Sequence, residues 1–443
     1  MPQPYPSVVI VADNASYNFG GEAVLPLRYF KIMRRKGVEV RLITHDRNRA
    51  HLASVLHDEV DRILFVPDSW VHRLCVRTGG FLPGKVANFT VGLVGRTVTQ
   101  LRARSLARQL IRSKHAQVVF QPIPVSPKEI SYLYRMGAPV VMGPFNGNMG
   151  FPPAFSDRES RATLLFTSIM RRISHLVNWL IPGKLRADLL LVANQRTRAA
   201  LPWGVRGRVI EMVENGVELD LWPPKTDAHR AGGPARFIYL GRLVEVKGVD
   251  ILIKAFAKAS SRVEATLEIV GDGELRHELE TLTASLNLTD RVVFSGWLAQ
   301  AQASQRLRDS DVFVLPSLHE CGGAAVMEAM AVGIPVIATK WGGPVDYVDS
   351  SCGILVEPSS ESALINGMAE AMIHLAQSAD LRAQMGAAGR RRIEEHFDWD
   401  QKVEQLLGLF VGLCQASSPT SQVDKTRSDS RAAGAQSPTT SLH

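Results

Sequence analysis

The chain has 443 residues, of which 45% are hydrophobic and 21% charged, and a formal net charge of +8. That length is too great for one ordinary core and predicts two domains plus a tail in a globular chain. Composition argues against a membrane-spanning chain, because no run of about 18 uncharged apolar residues occurs. Residues 1–7 are proline-rich and lack the basic region of a signal peptide.

Short β-branched runs predict strands at 7–11, 38–44, 62–66, 117–120, 139–143 and 189–193. A second series falls at 237–240, 266–270, 292–295, 312–316, 335–338 and 353–356. Helical patterns lie between them, at 22–35, 248–260, 274–285, 324–332 and 360–377 among others. Apolar strands bounded by Gly and Pro and separated by amphipathic helices imply parallel sheets covered on both faces. Two such series predict an α/β chain with two doubly wound, Rossmann-like domains. The boundary is expected near 215–233, where Pro223, Pro224, Gly232, Gly233 and Pro234 interrupt the pattern. The helical pattern resumes through Trp399 to Leu413, and residues 416–443 have too little apolar bulk to order themselves.

Charge is unevenly spread. Residues 1–195 hold 26 Lys and Arg against 12 Asp and Glu, a net of +14, and the remainder is net −6. Such asymmetry suggests an acidic partner, or else a solvated basic surface. The stretch Ile169 to Ile181, with Trp179 among aliphatics and Arg171 and Arg172 nearby, is either a helix packed on the sheet or a basic amphipathic helix in a membrane interface. The cysteines Cys75, Cys321, Cys352 and Cys414 lack C-x-x-C spacing, and the histidines lack H-x-x-x-H spacing. No metal site is therefore expected, and a reducing cytoplasm is.

Two segments carry chemistry. In the first, a strand ends at Gly241 and a helix begins near Gly248, so Arg242 and Lys247 stand at the carboxyl edge of a sheet, where open α/β folds bind ligands. A guanidinium fork and an ammonium suit a diphosphate, although basic residues are also common in surface loops. In the second, a strand stops at Pro316, Glu320 follows in a loop, and Gly322 and Gly323 precede a helix that carries Glu328. Glycines allow close backbone approach, and the free amides of a helix start attract phosphate. Carboxylates can accept hydrogen bonds from sugar and ribose hydroxyls, although a helix-surface acid is the plainer reading of Glu328.

The second segment resembles the E-x7-E signature of the family-4 retaining glycosyltransferases, which have the two-domain GT-B fold. Glu320 and Glu328 have that spacing, and Gly333-Ile334-Pro335-Val336 continues it. Gly241-Arg242-Leu243 to Lys247-Gly248, Ile269-Val270-Gly271-Asp272-Gly273, Val293-Phe294-Ser295-Gly296 and Glu214-Asn215-Gly216-Val217 match the family as well. The resemblance covers about residues 7–412. It implies an acceptor-binding domain at 1–215, with 396–413 packing back on it, and a nucleotide-sugar-binding domain at 216–395. Arg242 and Lys247 are then expected to bind the donor diphosphate and Glu320 the transferred sugar. The amides of Gly322, Gly323 and Ala324 approach that sugar and its phosphate, Glu328 takes the ribose, and the backbone near Trp297 and Leu298 meets the base. Gly20 and Gly21 bring a glycine loop to the reaction centre. Many relatives have a histidine near the end of the strand at 117–120, facing the donor sugar, and this sequence places Phe120 there. Gly143-Pro144-Phe145-Asn146-Gly147-Asn148-Met149-Gly150 looks like a feature of bacterial polysaccharide and glycolipid transferases that lines the acceptor side of the cleft; a Pro/Gly-rich turn is the plainer reading.

The resemblance implies a retaining, metal-independent transfer with no cofactor, from a nucleotide-sugar to a lipid-linked or saccharide acceptor. No nucleic acid partner is expected, and the chain is expected in the cytoplasm or at the inner face of the cytoplasmic membrane. A dinucleotide-binding oxidoreductase would want G-x-G-x-x-G after the first strand, which Asn18-Phe19-Gly20-Gly21 does not supply. A non-catalytic scaffold with a degenerate site is the alternative, and the intact Arg242, Lys247, Glu320 and Glu328 argue against it.

Overall fold

A computed structural model describes residues 5–18, 21–79, 91–158, 161–226 and 233–416. Seven parallel strands form the first sheet: β1 (Val8–Val11), β2 (Val40–His45), β3 (Ile63–Val66), β4 (Val118–Gln121), β5 (Val140–Phe145), β6 (Leu189–Val192) and β7 (Arg208–Glu211), in the order β3-β2-β1-β4-β5-β6-β7. Six more form the second: β8 (Ala235–Leu240), β9 (Ala265–Val270), β10 (Val292–Gly296), β11 (Val312–Leu315), β12 (Val336–Thr339) and β13 (Gly353–Val356), in the order β10-β9-β8-β11-β12-β13. The fold class expected from the sequence is the one observed.

All four residues of β1 are buried because helices cover both faces of its sheet. Side chains alternate across a strand, and the alternation divides the core. Val8, Ile10, Val118 and Phe120 face the helices Gly21–Arg35 and Trp399–Ala416. Val9, Val11 and Val119 face the helix Val91–Arg112 through Ala103, Ala107 and Leu110. Strand β7 was not expected from the sequence. It is an edge strand whose end residues Arg208 and Glu211 are exposed, so it carries no apolar run to announce it.

The last helix, Trp399–Ala416, returns from the second sheet to the first. Trp399, Val403, Leu406, Leu407 and Phe410 are fully buried there. The Trp399 ring meets Tyr29 edge-on at 5.1 Å and lies under the Arg28 guanidinium at 5.4 Å. The chain thus crosses between the sheets twice, and the crossings are stitched together: Val217 N donates to Phe397 O at 2.8 Å and Trp399 N to Val217 O at 3.1 Å. The Gly/Pro-rich stretch read as a boundary lies partly outside the described residues, as do residues 417–443 of the expected tail.

Strand order reverses between β1 and β4 in one sheet and between β8 and β11 in the other. Parallel α/β sheets open a crevice at such points, beyond the carboxyl ends of the strands.

Candidate active site

The loops after β8 and β11 are joined backbone to backbone. Leu318 N donates to Val246 O at 2.9 Å and the Ser317 hydroxyl to the same carbonyl at 3.1 Å. Gly248 has φ +63°, and a Cβ there would sit 2.6 Å from Pro316 O, so only glycine lets the turn Glu245–Lys247 lie against the end of β11. This contact delivers Lys247 to Glu320, and the two form an ion pair with side chains 16% and 13% exposed. The Glu320 carboxylate also accepts from Gly323 N at 3.1 Å. Gly323 has φ +66° and caps the helix Ala324–Ala331.

Arg242 lies on the β8 loop with its side chain exposed, and its carbonyl accepts from the Tyr239 hydroxyl at 2.9 Å. Burial raises the Tyr239 phenol; Glu320 adds to that shift and Arg242 opposes it, which sets the carboxylate and the guanidinium near the same buried hydroxyl. Gly241 N donates to Val270 O at 3.0 Å, and the same loop meets Gly271 so closely that a side chain there would strike Gly241 O. Glu328 lies on the helix Ala324–Ala331. Burial pushes its carboxyl up to about 7, opposed by Arg28 from the first domain. Trp297, after β10, is 76% exposed, and the adjacent Leu298 packs partly into the second core. The structure therefore brings Arg242, Lys247, Glu320, Gly322, Gly323 and Ala324 to the β8/β11 crevice, with Trp297 at the end of the outer strand.

On the opposite sheet, Gly20 lies outside the described residues, and Gly21 is the exposed first residue of its helix. The sequence reading put Phe120 in a position facing the donor sugar; the structure corrects this. Phe120 is fully buried, edge-on to Tyr29 at 5.0 Å and to Phe410 at 5.6 Å. The period-two alternation of β4 turns it toward the core helices, away from the crevice.

Several ionisable groups at this edge were not singled out from the sequence. The Glu22 carboxylate accepts from Val125 N at 2.8 Å and is raised by desolvation. Burial raises Asp13 to about 6 against the pull of Arg47. Lys184 is 1% exposed, donates to Ser126 O at 2.7 Å, lies 4.4 Å from the Phe145 ring centroid, and is lowered to about 7 by desolvation, with Glu129 and Glu22 opposing. Glu22 had a signal in its place beside the glycine pair. Lys184 had none, because isolated lysines are ordinarily exposed.

The segment after β5 makes contacts beyond its own sheet. Asn146 Nδ2 donates to Cys321 O at 2.7 Å, and Trp341 Nε1 donates to Gly150 O at 2.9 Å. It bridges to the loops of the other sheet. His45, Asp68 and His72 form a cluster with metal-ligand potential among the described residues. Arg47 N donates to His45 Nδ1 at 3.1 Å and Ser69 N to His72 Nδ1 at 3.0 Å, leaving each neutral ring with its proton on Nε2. His72 Nε2 then faces Gly95 O at 3.1 Å and Thr99 Oγ1 at 2.9 Å, whereas the buried His45 Nε2 lies 3.3 Å from an Asp68 oxygen without a hydrogen-bond partner.

Residues 225–392 match the family model described as "Glycosyl transferases group 1". A GDP-mannose-dependent monoacylated alpha-(1-6)-phosphatidylinositol monomannoside mannosyltransferase of Corynebacterium glutamicum is 34% identical over 177 residues, 38% of this chain and 45% of that protein. A GDP-mannose-dependent alpha-(1-6)-phosphatidylinositol monomannoside mannosyltransferase of Mycobacterium tuberculosis is 30% identical over 233 residues, 49% of this chain and 59% of that protein. The chain spans about half the length of these curated relatives. Among solved structures, the sucrose-phosphate synthase of Thermosynechococcus elongatus superposes with a TM-score of 0.61 at 19% identity, covering 93% of this chain and all 100% of that one. The Anabaena protein HepE in complex with UDP and glucose gives 0.61 at 15% identity, covering 92% and 100%.

Proposed function

We propose that this chain, whose residues 225–392 match the group 1 glycosyl transferases and whose fold is that of GT-B proteins, moves a sugar, with retention and without a metal, from a nucleotide-sugar to a lipid-linked or saccharide acceptor. The observation that carries this reading is the Lys247–Glu320 pair at the β8/β11 crevice. A cation and a carboxylate, largely withdrawn from water, stand beside the amides of a helix start. As the bond between sugar and diphosphate breaks, negative charge grows on the leaving oxygen. Lys247, Arg242 and the amides of Gly322 to Ala324 stabilise that charge without reorganising. Glu320 accepts hydrogen bonds from the migrating sugar, Glu328 from the ribose, and Trp297 and Leu298 meet the base.

The acceptor enters from the first sheet and carries a lipid. Supporting this, the helix Arg161–Leu180 is oriented against its own polarity. Asn178 is buried and donates to Lys128 O at 3.2 Å, as the Ser174 hydroxyl does at 2.8 Å. Ile169, Ile173, Leu176 and Leu180 form an outward stripe, 43–63% exposed, with Trp179 at 69%. The stripe disfavours the reading of this helix as an ordinary packed one. Arg171 and Arg172 flank it, exposed. Aliphatic and indole groups inserting among lipid tails beneath two guanidiniums suit an anionic bilayer surface. Two named relatives act on phosphatidylinositol mannosides, which agrees with a lipid acceptor here.

Thermal-shift measurements with UDP-, GDP- and ADP-sugars test the reading, since a ligand that binds the native state raises its melting temperature. One nucleotide class is expected to stabilise the protein and its sugar to be transferred or slowly hydrolysed. No stabilisation by any of them overturns the proposal.

A further inference from the structure

Asn146 is buried at 5% exposure, yet lies on a connecting segment that has just left β5. Its two amide protons are both used. One goes to Glu214 Oε1 at 2.5 Å and the other to Cys321 O at 2.7 Å. The first partner belongs to the crossing between the sheets. The second is the carbonyl between Glu320 and Gly322, in the middle of the loop that presents the proposed sugar-binding carboxylate.

The rest of that loop is held equally closely. A Cβ on Gly322 would meet Asn215 Nδ2 and, at 2.9 Å, Glu214 Oε1. On the far side, Gly343 N donates to Glu320 O at 2.7 Å, and a Cβ on Gly342 would lie 2.5 Å from Met149 Sδ. The chain from Asn146 to Gly150 therefore grips the 320–323 loop directly through Asn146 and indirectly through residues 341–343, where Trp341 Nε1 reaches Gly150 O. An asparagine is suited to this position. Its amide offers two donors in one plane, which the acceptor-only Asp cannot, and a buried carbonyl left without its donor costs more than the bond is worth.

We propose that Asn146 is a positioning residue: through Cys321 O it fixes the loop that carries Glu320 and the Gly322–Ala324 amides, so that the donor site takes its working shape only while the segment after β5 is docked on it. Asn146 itself touches no reacting atom. The consequence for turnover rests on the glycosyl-transfer reading; the attachment of the loop does not.

Two variants in the full chain separate the roles. Asn146→Ala removes both bonds. Asn146→Asp combined with Glu214→Gln restores a donor–acceptor pair between positions 146 and 214, with the amide now on 214, but leaves Cys321 O without its amide donor. The reporter is alkylation of the half-buried Cys321 by N-ethylmaleimide, followed by peptide mass spectrometry, with Cys75 and Cys414 as internal references. Both variants are expected to label at Cys321 roughly tenfold faster than wild type, with the reference cysteines unchanged. With the nucleotide class identified by thermal shift, both are expected to lower kcat while affinity for the free nucleoside diphosphate is retained. Wild-type protection of Cys321 in Asn146→Ala, or its recovery in the double variant, overturns the proposal. Labelling requires no donor, so failure of every nucleotide to bind would sink the transferase reading and leave the loop assignment standing.

Discussion

The Lys247 ammonium is neutralised by the Glu320 carboxylate across the junction of two loops that start 75 residues apart on neighbouring strands, after Leu240 and Leu315. In the proposed donor complex, a diphosphate entering the crevice would compete with Glu320 for that ammonium. In the proposed reaction the pair would yield a cation to the leaving group as bond cleavage begins.

Replacing either cation tests this directly. Lys247→Ala and Arg242→Ala are each expected to lower turnover by about 10²-fold or more, the scale on which fixed transition-state donors act. Both side chains stand outside the hydrophobic core, so circular dichroism spectra should remain those of the wild type. Near-native turnover in both variants would remove them from the donor site.

Glu328 gives a dependence on pH. Its carboxyl is raised to about 7 because burial disfavours the charge. In the unliganded protein the native state keeps a proton that the unfolded chain releases at the ordinary carboxylate value. The associated stability is full below that value and is lost as pH rises through about 7; Glu328→Gln should lack this loss. Ribose hydroxyls donate to the ionised form, so donor affinity should rise roughly tenfold between pH 6 and pH 8, as the ionised fraction does. Calorimetric titration at the two pH values is the measurement. A flat profile in the wild type, or the same slope in Glu328→Gln, contradicts the assignment. Glu328→Gln should weaken donor binding more than Glu320→Gln, whose effect should fall on kcat.

Turnover is expected to persist in EDTA, because Arg242, Lys247 and the helix start carry the leaving charge in this mechanism. Activity abolished by the chelator and restored by magnesium or manganese would contradict it.

Sedimentation with lipid vesicles tests the outward stripe on Arg161–Leu180. Wild-type protein should pellet with phosphatidylglycerol vesicles at low salt and much less with phosphatidylcholine. Leu176→Ser with Leu180→Ser removes insertion, and Arg171→Glu with Arg172→Glu reverses the local charge; each pair should weaken binding by about tenfold or more. Equal binding to neutral vesicles, or indifference to both pairs, would exclude this helix as the contact.

Much of the architecture was legible because parallel strands buried on both faces must be apolar throughout, as Val8–Val11 and Val312–Leu315 are. Strand β7 escaped notice because its exposed edge position removes that requirement. Arg242, Lys247, Glu320 and Glu328 could be singled out because they sit at fixed offsets from strand ends and glycines. Phe120 was misplaced since strand alternation, which a resemblance does not encode, decides which face a side chain takes. Asn146 and Glu214 were visible as members of motifs, but their meeting with Cys321 arises only when two sheets are docked, and no local pattern in the chain records that event. Lys184 is set by its surroundings alone: Ser126, Phe145, Glu22 and Glu129 approach it from separate parts of the sequence.

The return of the last helix to the first sheet imposes an order on biosynthesis. When the ribosome has delivered β1 through β7, Tyr29 and Phe120 still lack the ring of Trp399 and the ring of Phe410 that cover them in the finished protein. The first-made half must wait, with an oily face open, while nearly 200 further residues emerge. Such a face is prone to aggregation and is a natural ligand for chaperones. Ribosome-stalled chains ending before residue 399 should therefore be protease-sensitive in the first half, and resistance should appear only once Phe410 has left the exit tunnel.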